Sequence, residues 1–489
     1  MNNLKELETF VLSTKVGEGK IKSNIIHPVT KKEYPARTFF VLLRKYAFDF
    51  LTSSSEPRMI GLAGLRGVGK TTLMWQLAHE LFYNHKIPEI EGIFFFNVNT
   101  VMTLNSNLFE VLEIFQNKVL KKRFYELSKP IVLLFDEVHD DPNWAKTLKI
   151  LYDEAKTAFV VCTGSSALLL QQTADLSRRM NIEKIYPFKL TEFILAKSFF
   201  ETNNNIYPKK DLSKELKTIL FFSQDANELY QKLKSLEPNI NNYYNNVIQC
   251  IKPKSINSLI EEYLKYYNIP AFILYKEKSL VLNNILDLFH RVIYEDLPKI
   301  QKEIVSSREI SKLLLQLAIS DEINYDSLSK KTGIKKENLD CIIDIIEKAE
   351  LINKFNPYGG SEARIWKNKK IFFMSPSLRL ALLNEIYQMQ IPETLASKVY
   401  EDIVVMYLKK TLAQTPVSFV MTENYKTPDF VIETMDNPIL IEIGKGKTTT
   451  EQLHPDSIKA RYGILITENQ ELSQSGNNIK LPLSWFLLL

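Results

Sequence analysis

"GLRGVGKT", residues 64–71, decides the fold. It fits G-x-x-x-x-G-K-[ST] at every fixed position, and its flanks fit as well. The apolar stretch 58–63 reads as the strand that enters the loop. Behind it, Leu73, Leu77 and Leu81 recur at helical spacing and predict an amphipathic helix. In such a turn the backbone N–H groups of Gly64, Leu65, Arg66, Gly67, Val68 and Gly69 curl around phosphates. The helix that follows, with Thr72 in its first turn, adds donors and a positive dipole end. Lys70 is expected to bridge the phosphates and the Thr71 hydroxyl to hold Mg²⁺. The expected nucleotide is ATP, because no Asn-Lys-x-Asp guanine-reading motif occurs: Asn117-Lys118 runs into Val119-Leu120.

Working outward, hydrolysis needs a second strand that carries carboxylates. "KPIVLLFDEVHD", residues 129–140, supplies five apolar residues and then Asp136 and Glu137. An unbroken apolar run suits a strand covered on both faces, as in a parallel sheet between helices. Asp136 is expected in the Mg²⁺ shell and Glu137 as the group that polarises the attacking water. Two acids at a strand end also describe a solvated turn, but here they follow the loop at ordinary domain spacing. A third apolar run, "TAFVVCTGSSALLL", ends in Thr163, Gly164, Ser165 and Ser166. One of these is a candidate γ-phosphate sensor; Ser165 or Ser166 serves equally well as the N-cap of the next helix. Downstream, Arg178 and Arg179 are arginine-finger candidates, and equally an exposed basic pair.

At 489 residues the chain exceeds one ordinary core, so several compact units are expected. Its 45% hydrophobic and 24% charged residues exclude a disordered chain. Apolar runs such as "WFLLL" are far short of the roughly 20 residues that span a bilayer, so no membrane contact is expected. The three cysteines lie far apart without Cys-x-x-Cys or Cys/His spacing, which argues against a disulfide framework or zinc and for a cytoplasmic setting. A net charge of +5 permits nucleic-acid contact without arguing for it.

"FDEVHDDPNWAKTLKILYDE", "VVCTGSSALLL" and "IYPFKLTEFI" together resemble the archaeal-type ATPases of the AAA+ superfamily. The likeness continues through "YYNIPAFILYKEK", "VIYEDLPKI", "LINKFNPY" and "KKIFFMSPSLRLALL". The resemblance implies a P-loop parallel sheet with a helical lid, then a winged helix-turn-helix and a PD-(D/E)xK nuclease-like domain of unknown function. Three features depart from the family pattern. No Gly-Arg-Glu segment is evident ahead of the loop, Tyr267-Asn268-Ile269 stands where a glycine pair is usual, and residues 196–254 look expanded.

Within that expanded region, "EPNINNYYNNVIQC" reads as a loop of the lid. From residue 307 onward the pattern becomes three short helices, the last with Leu339, Ile342, Ile343 and Ile346 on one face. An apparent wing follows, and Arg364, Lys367, Lys369 and Lys370 are its candidate DNA contacts. The helix before it carries Glu337, Asp340, Asp344 and Glu347 against Lys335, Lys336 and Lys348, which fits a packing module better than base readout.

The tail raises a sharper question. "PDFVIETMDNPILIEIGKGK", residues 428–447, offers Asp429 and Glu442 in nuclease-like order, with Glu401 on the preceding helix. The usual lysine two residues after the Glu is replaced by Gly444. Side chains alternate along a strand, so Lys445 faces away from Glu442. Unless Gly444 seats a β-bulge that returns Lys445 to that face, the site is degenerate and cleavage is expected to be lost or very weak.

The domains expected are residues 1–57 as an N-terminal segment, 58–195 as the P-loop core, 196–304 as a helical lid, 305–391 as the winged helix and 392–489 as the nuclease-like unit. The expected function is a Mg²⁺-dependent ATPase acting on or near DNA. The alternative is a slow nucleotide-switched regulatory or defence protein whose C-terminal half binds a protein partner. Assembly into a homo-oligomer is compatible with both.

Overall fold

The computed structural model describes residues 2–28, 30–84, 90–164, 176, 178–300, 306–320, 324–358, 369–388, 390–412, 418–420, 428–434, 436–445, 449–453, 458–468 and 471–489. The chain divides into two compact units, Met1–Tyr186 and Pro187–Leu489.

The first unit is built on five parallel strands in the order β2-β3-β4-β1-β5. They are β1 Met59–Ala63, β2 Gly92–Asn97, β3 Ile131–Asp136, β4 Ala158–Gly164 and β5 Asn181–Lys184. Every residue of β1, β3 and β4 is buried, which is why these segments read as continuous apolar runs and not as alternating ones. Helix Lys70–Tyr83 follows β1 and buries Leu73, Leu77 and Leu81. The residues ahead of β1 are integral to this unit. Leu7 and Val11 of helix Asn2–Leu12 enter the core with Phe94, Phe96 and Phe115. Val16 N donates to Ile93 O at 2.8 Å and Phe95 N to Thr14 O at 2.9 Å. That antiparallel pairing covers the open edge of β2.

In the second unit, residues 226–251 correct the sequence reading. The stretch expected as a lid loop lies inside one 26-residue helix, Ala226–Ile251. Asparagines and Pro238 suggested a break, yet Leu229, Leu233, Leu236, Ile240, Tyr243 and Val247 recur every three or four residues and are all buried. Asp225 caps the N-terminus, its carboxylate accepting from Glu228 N at 2.8 Å. Pro238 is exposed, so the backbone bond it removes falls on the solvent side.

Further along, helices Ser307–Ile319, Tyr325–Thr332 and Lys336–Lys348 precede an antiparallel ribbon of β6 Ile352–Phe355 and β7 Lys370–Phe373. Helices Pro376–Tyr387 and Lys398–Leu412 lead into a mixed six-stranded sheet. Its strands are β8 Ser418–Val420, β9 Phe430–Glu433, β10 Ile439–Gly444, β11 Tyr462–Thr467, β12 Ser473–Ser475 and β13 Asn478–Pro482, ordered β12-β13-β11-β10-β9-β8. The last two strands, β12 and β13, form an antiparallel hairpin, short and polar in part.

Arg379 and Asp402 pin these elements together with no exposed side-chain surface on either. Arg379 Nε donates to Asp402 Oδ2 at 2.6 Å and Nη2 to Oδ1 at 2.9 Å. Its Nη1 reaches Ala318 O at 3.1 Å, and Phe373 N donates to Asp402 Oδ1 at 2.8 Å. Removing one member strands the other charge in the core. Asp402→Ala is expected to destabilise the C-terminal unit by about 3–5 kcal/mol, read as a lower urea midpoint. The double variant Arg379→Met/Asp402→Leu should lose much less.

Candidate functional site

The site is assembled at the carboxyl ends of β1, β3 and β4, where an open parallel sheet presents its loops. Two glycines shape the turn. A Cβ at Gly64 would lie 2.5 Å from the Ile185 carbonyl oxygen, so only glycine fits there. Gly69 has φ +90°, a left-handed conformation that suits glycine, and it hands the chain to the helix at Lys70. Leu65 and Val68 are buried, while Arg66, Gly67, Thr71 and Thr72 are half-buried. Lys70 is only 6% exposed, with Nζ on Gly64 O at 2.8 Å and Leu65 O at 3.2 Å. A buried ammonium folded onto two carbonyls of its own loop is placed to meet anions entering that loop.

The acids follow from the neighbouring strand. Asp136, the last residue of β3, is 5% exposed, and its Oδ1 accepts from Thr71 Oγ1 at 2.8 Å and Thr163 Oγ1 at 2.6 Å. Thr163, near the end of β4, in turn accepts from Glu137 N at 2.9 Å. Burial pushes the Asp136 carboxyl above its ordinary pKa; the bonds from Thr163 and Thr71 oppose that and keep the charged form accessible. Glu137 sits at φ +55°, left-handed for a non-glycine residue, which costs on the order of 1–3 kcal/mol. Strain of that kind persists where the surroundings fix it, here through the Thr163 bond. His139 Nδ1 stands 3.3 Å from Glu137 Oε2 with its side chain fully enclosed.

Sequence reading missed two residues. Arg37, ahead of β1, donates to Val68 O at 2.6 Å and Tyr186 O at 2.9 Å and so braces the loop from outside the motif. Its only signal was a lone arginine in "EYPAR". His139 was hidden because it follows the acids in a 3₁₀ turn, Val138–Asp140, and not on the strand. The arginine pair divides: Arg178 is exposed, whereas Arg179 makes a two-point pair with Asp153, at 3.0 and 3.2 Å. Ser165 and Ser166 lie outside the described residues.

A second constellation lies in the C-terminal sheet. Asp429 Oδ2 accepts from Ile443 N at 2.8 Å, and Glu442 Oε2 accepts from Asp429 N at 3.1 Å. These reciprocal bonds extend the β9–β10 ladder past its last backbone pair, Ile441↔Phe430. Glu401, in the first turn of helix Lys398–Leu412, is close enough for its charge to act on Asp429. Lys445 does not join them. β10 pairs with β11 without interruption as far as Gly444↔Thr467, so no bulge rotates the strand. Lys445 faces the other way and pairs with Glu393 at 3.6 Å. Among the described residues, no three or more His, Cys, Asp or Glu side chains are arranged to hold a metal ion. The ribbon's basic residues are engaged as well: Lys369 with Asp340 at 3.3 Å, Lys370 with Glu401 at 3.1 Å. Arg364 and Lys367 lie outside the described residues.

Residues 56–194 match the family model described as an AAA domain. The matched stretch lies largely in the first unit, which is thus similar to an AAA domain. Residues 259–387 match a domain of unknown function (DUF8612). An uncharacterized protein of Methanocaldococcus jannaschii is 28% identical over 451 residues, which cover 91% of this chain and 88% of that one. Among solved structures, the Walker-type ATPase of Pyrococcus abyssi overlaps at TM-score 0.39 and 14% identity, covering 71% of this chain and 95% of the other. The Aeropyrum pernix ORC1 protein in complex with DNA overlaps at TM-score 0.31 and 11% identity, covering 74% and 95%. At such TM-scores neither overlap establishes a shared arrangement of the whole chain. No helix among the described residues is long and apolar enough to cross a membrane.

The acid constellation predicts a pH dependence. Burial, then the charges of Glu401 and Glu442, push Asp429 from 3.8 up to about 8, against the pull of Lys370. The folded chain therefore holds this proton more tightly than the unfolded chain. The resulting stability is complete below about pH 4 and is lost as pH rises through about 8. Asp429→Asn should flatten that decline, measured as urea midpoints between pH 4 and 8.5.

Proposed function

We propose that the AAA domain binds and hydrolyses ATP with Mg²⁺. The observation that carries this reading is the junction at Asp136, whose Oδ1 joins the Thr71 and Thr163 hydroxyls beside Glu137. Thr71 Oγ1 and Asp136 Oδ1, 2.8 Å apart, form an oxygen pair suited to the hard cation. Mg²⁺, when bound, neutralises phosphate charge and orients the terminal phosphoryl group. Lys70 exchanges the Gly64 and Leu65 carbonyls for β- and γ-phosphate oxygens. The backbone N–H groups from Gly64 to Thr72 cradle the phosphates. Glu137 takes the proton of the attacking water, and Thr163, bonded to both acids' residues, links γ-phosphate occupancy to the position of Glu137. Arg178 is the better finger candidate of the pair, since Arg179 is engaged by Asp153.

For the C-terminal unit we propose a winged-helix module, its wing the β6–β7 ribbon, followed by a nuclease-like sheet that does not cleave. The pairing of Lys369 with Asp340 and Lys370 with Glu401 favours a second reading of the whole, in which the ATPase is a slow switch and this unit holds a protein partner. Steady-state hydrolysis with and without duplex DNA separates the two. Turnover indifferent to DNA supports the switch, and a several-fold rise supports action on DNA.

Two substitutions test the chemistry. Lys70→Ala is expected to abolish tight ATP binding, because the phosphates lose their buried cation. Glu137→Gln should keep ATP affinity and stop turnover, because it removes the base and leaves the Mg²⁺ ligands. Equilibrium binding of a fluorescent ATP analogue together with phosphate release checks both, and near wild-type turnover in Glu137→Gln would overturn the assignment.

A further inference from the structure

We infer that the Glu401–Asp429–Glu442 cluster is a charge latch closed by the chain's own Lys370, fastening the β6–β7 ribbon to the C-terminal sheet where the nuclease-like arrangement would have a metal centre. The inference does not depend on ATP hydrolysis.

Three observations carry it. First, the strand that would provide a cation provides none on the face of Glu442. Gly444 occupies that position, and Lys445 is drawn to Glu393. The ammonium comes from another element, since Lys370 at the start of β7 reaches Glu401 Oε2 at 3.1 Å with only 18% of its side chain exposed. Second, the carboxylates face inward to protein donors. Asp429 binds Ile443 N and Glu442 binds Asp429 N, and no metal-holding group of acids exists among the described residues. Third, the contact is built as a joint. Three residues beyond Lys370, Phe373 N binds Asp402, the neighbour of Glu401. Phe355 and Phe372 of the ribbon close on Phe430, the residue after Asp429, at ring distances of 6.0 and 5.4 Å.

The physical logic is charge balance at an apolar joint. The Glu401 carboxylate stands with Asp429 and Glu442 beside packed aromatic rings, and the Lys370 ammonium offsets its charge only while the ribbon stays seated. Lys370 also weakens the upward push on Asp429, in keeping with its place at the cluster. The ribbon's cation is thereby withdrawn from any phosphate backbone and used internally.

The experiment is a charge-rescue cycle on the full chain at pH 7.5, read by thermal unfolding. Lys370→Met should lower Tm by several degrees, and adding Glu401→Gln should restore most of the loss, because the acid that needed the cation has become neutral. Lys370→Arg, which keeps the charge, should stay near wild type. If Lys370→Met does not fold, recovery of folding in the double variant supports the latch and failure to recover overturns it. A parallel titration of the nucleotide-free chain with Mn²⁺, followed by electron paramagnetic resonance, should show no bound ion that Glu442→Gln removes. Two results would overturn the latch: an additive, unrescued double variant, or a Mn²⁺ site in the wild-type chain that disappears in Glu442→Gln.

Discussion

A single oxygen, Asp136 Oδ1, gathers the functional end of the first unit. It accepts from Thr71, in the first turn of the helix after β1, and from Thr163, near the end of β4. The carboxylate itself ends β3, so two neighbouring strands and the helix that follows β1 meet at one buried charge. A carboxylate withdrawn from water is costly unless donors face it, and here two hydroxyls do. The same Thr163 hydroxyl accepts from Glu137 N, so the second acid is positioned through the first. Shifting β3 by one residue against β4 would turn Asp136 to the opposite face and dissolve the arrangement. The apolar register from Ile131↔Ala158 to Phe135↔Cys162 therefore fixes the geometry of the site as much as the site's own residues do.

What could be read from sequence follows from how local the physics is. The phosphate loop and the strand ending in Asp136 and Glu137 were legible because their spacing, flanks and burial pattern all lie within a few residues. Arg37 was not, since its hydrogen bonds to Val68 and Tyr186 depend on the fold bringing distant backbone carbonyls together. The pairing of residues 14–16 with β2 was missed for the same reason. The 226–251 helix was misread on composition, because asparagine, tyrosine and proline weigh toward a loop while buried positions at heptad-like spacing weigh toward a helix. Tertiary burial decided it.

In the C-terminal unit the cation beside the acids comes from an element that the sequence reading assigned to DNA contact. Alternation along β10 turns Lys445 away from Glu442 unless Gly444 seats a bulge, and no bulge forms. The sheet turns Lys445 toward Glu393, and Lys370 arrives from a separate ribbon. The chain's modest positive charge is likewise distributed in pairs: Lys336–Asp326, Lys354–Asp344, Lys369–Asp340 and Lys409–Glu347 surround the three-helix and ribbon region. Pairs of this kind add little stability when exposed. They do lower the positive potential this region offers to a polyanion, which separates a basic composition from a basic surface.

In the proposed function the Thr71–Asp136 pair, braced by Thr163, seats Mg²⁺ for a nucleotide. The most direct measurement is ADP affinity by calorimetry with and without Mg²⁺, for the wild-type chain, Thr71→Val and Asp136→Asn. Mg²⁺ should tighten binding markedly in the wild type and have little effect in either variant, while metal-free affinity stays comparable in all three. An undiminished Mg²⁺ effect in both variants would contradict the account.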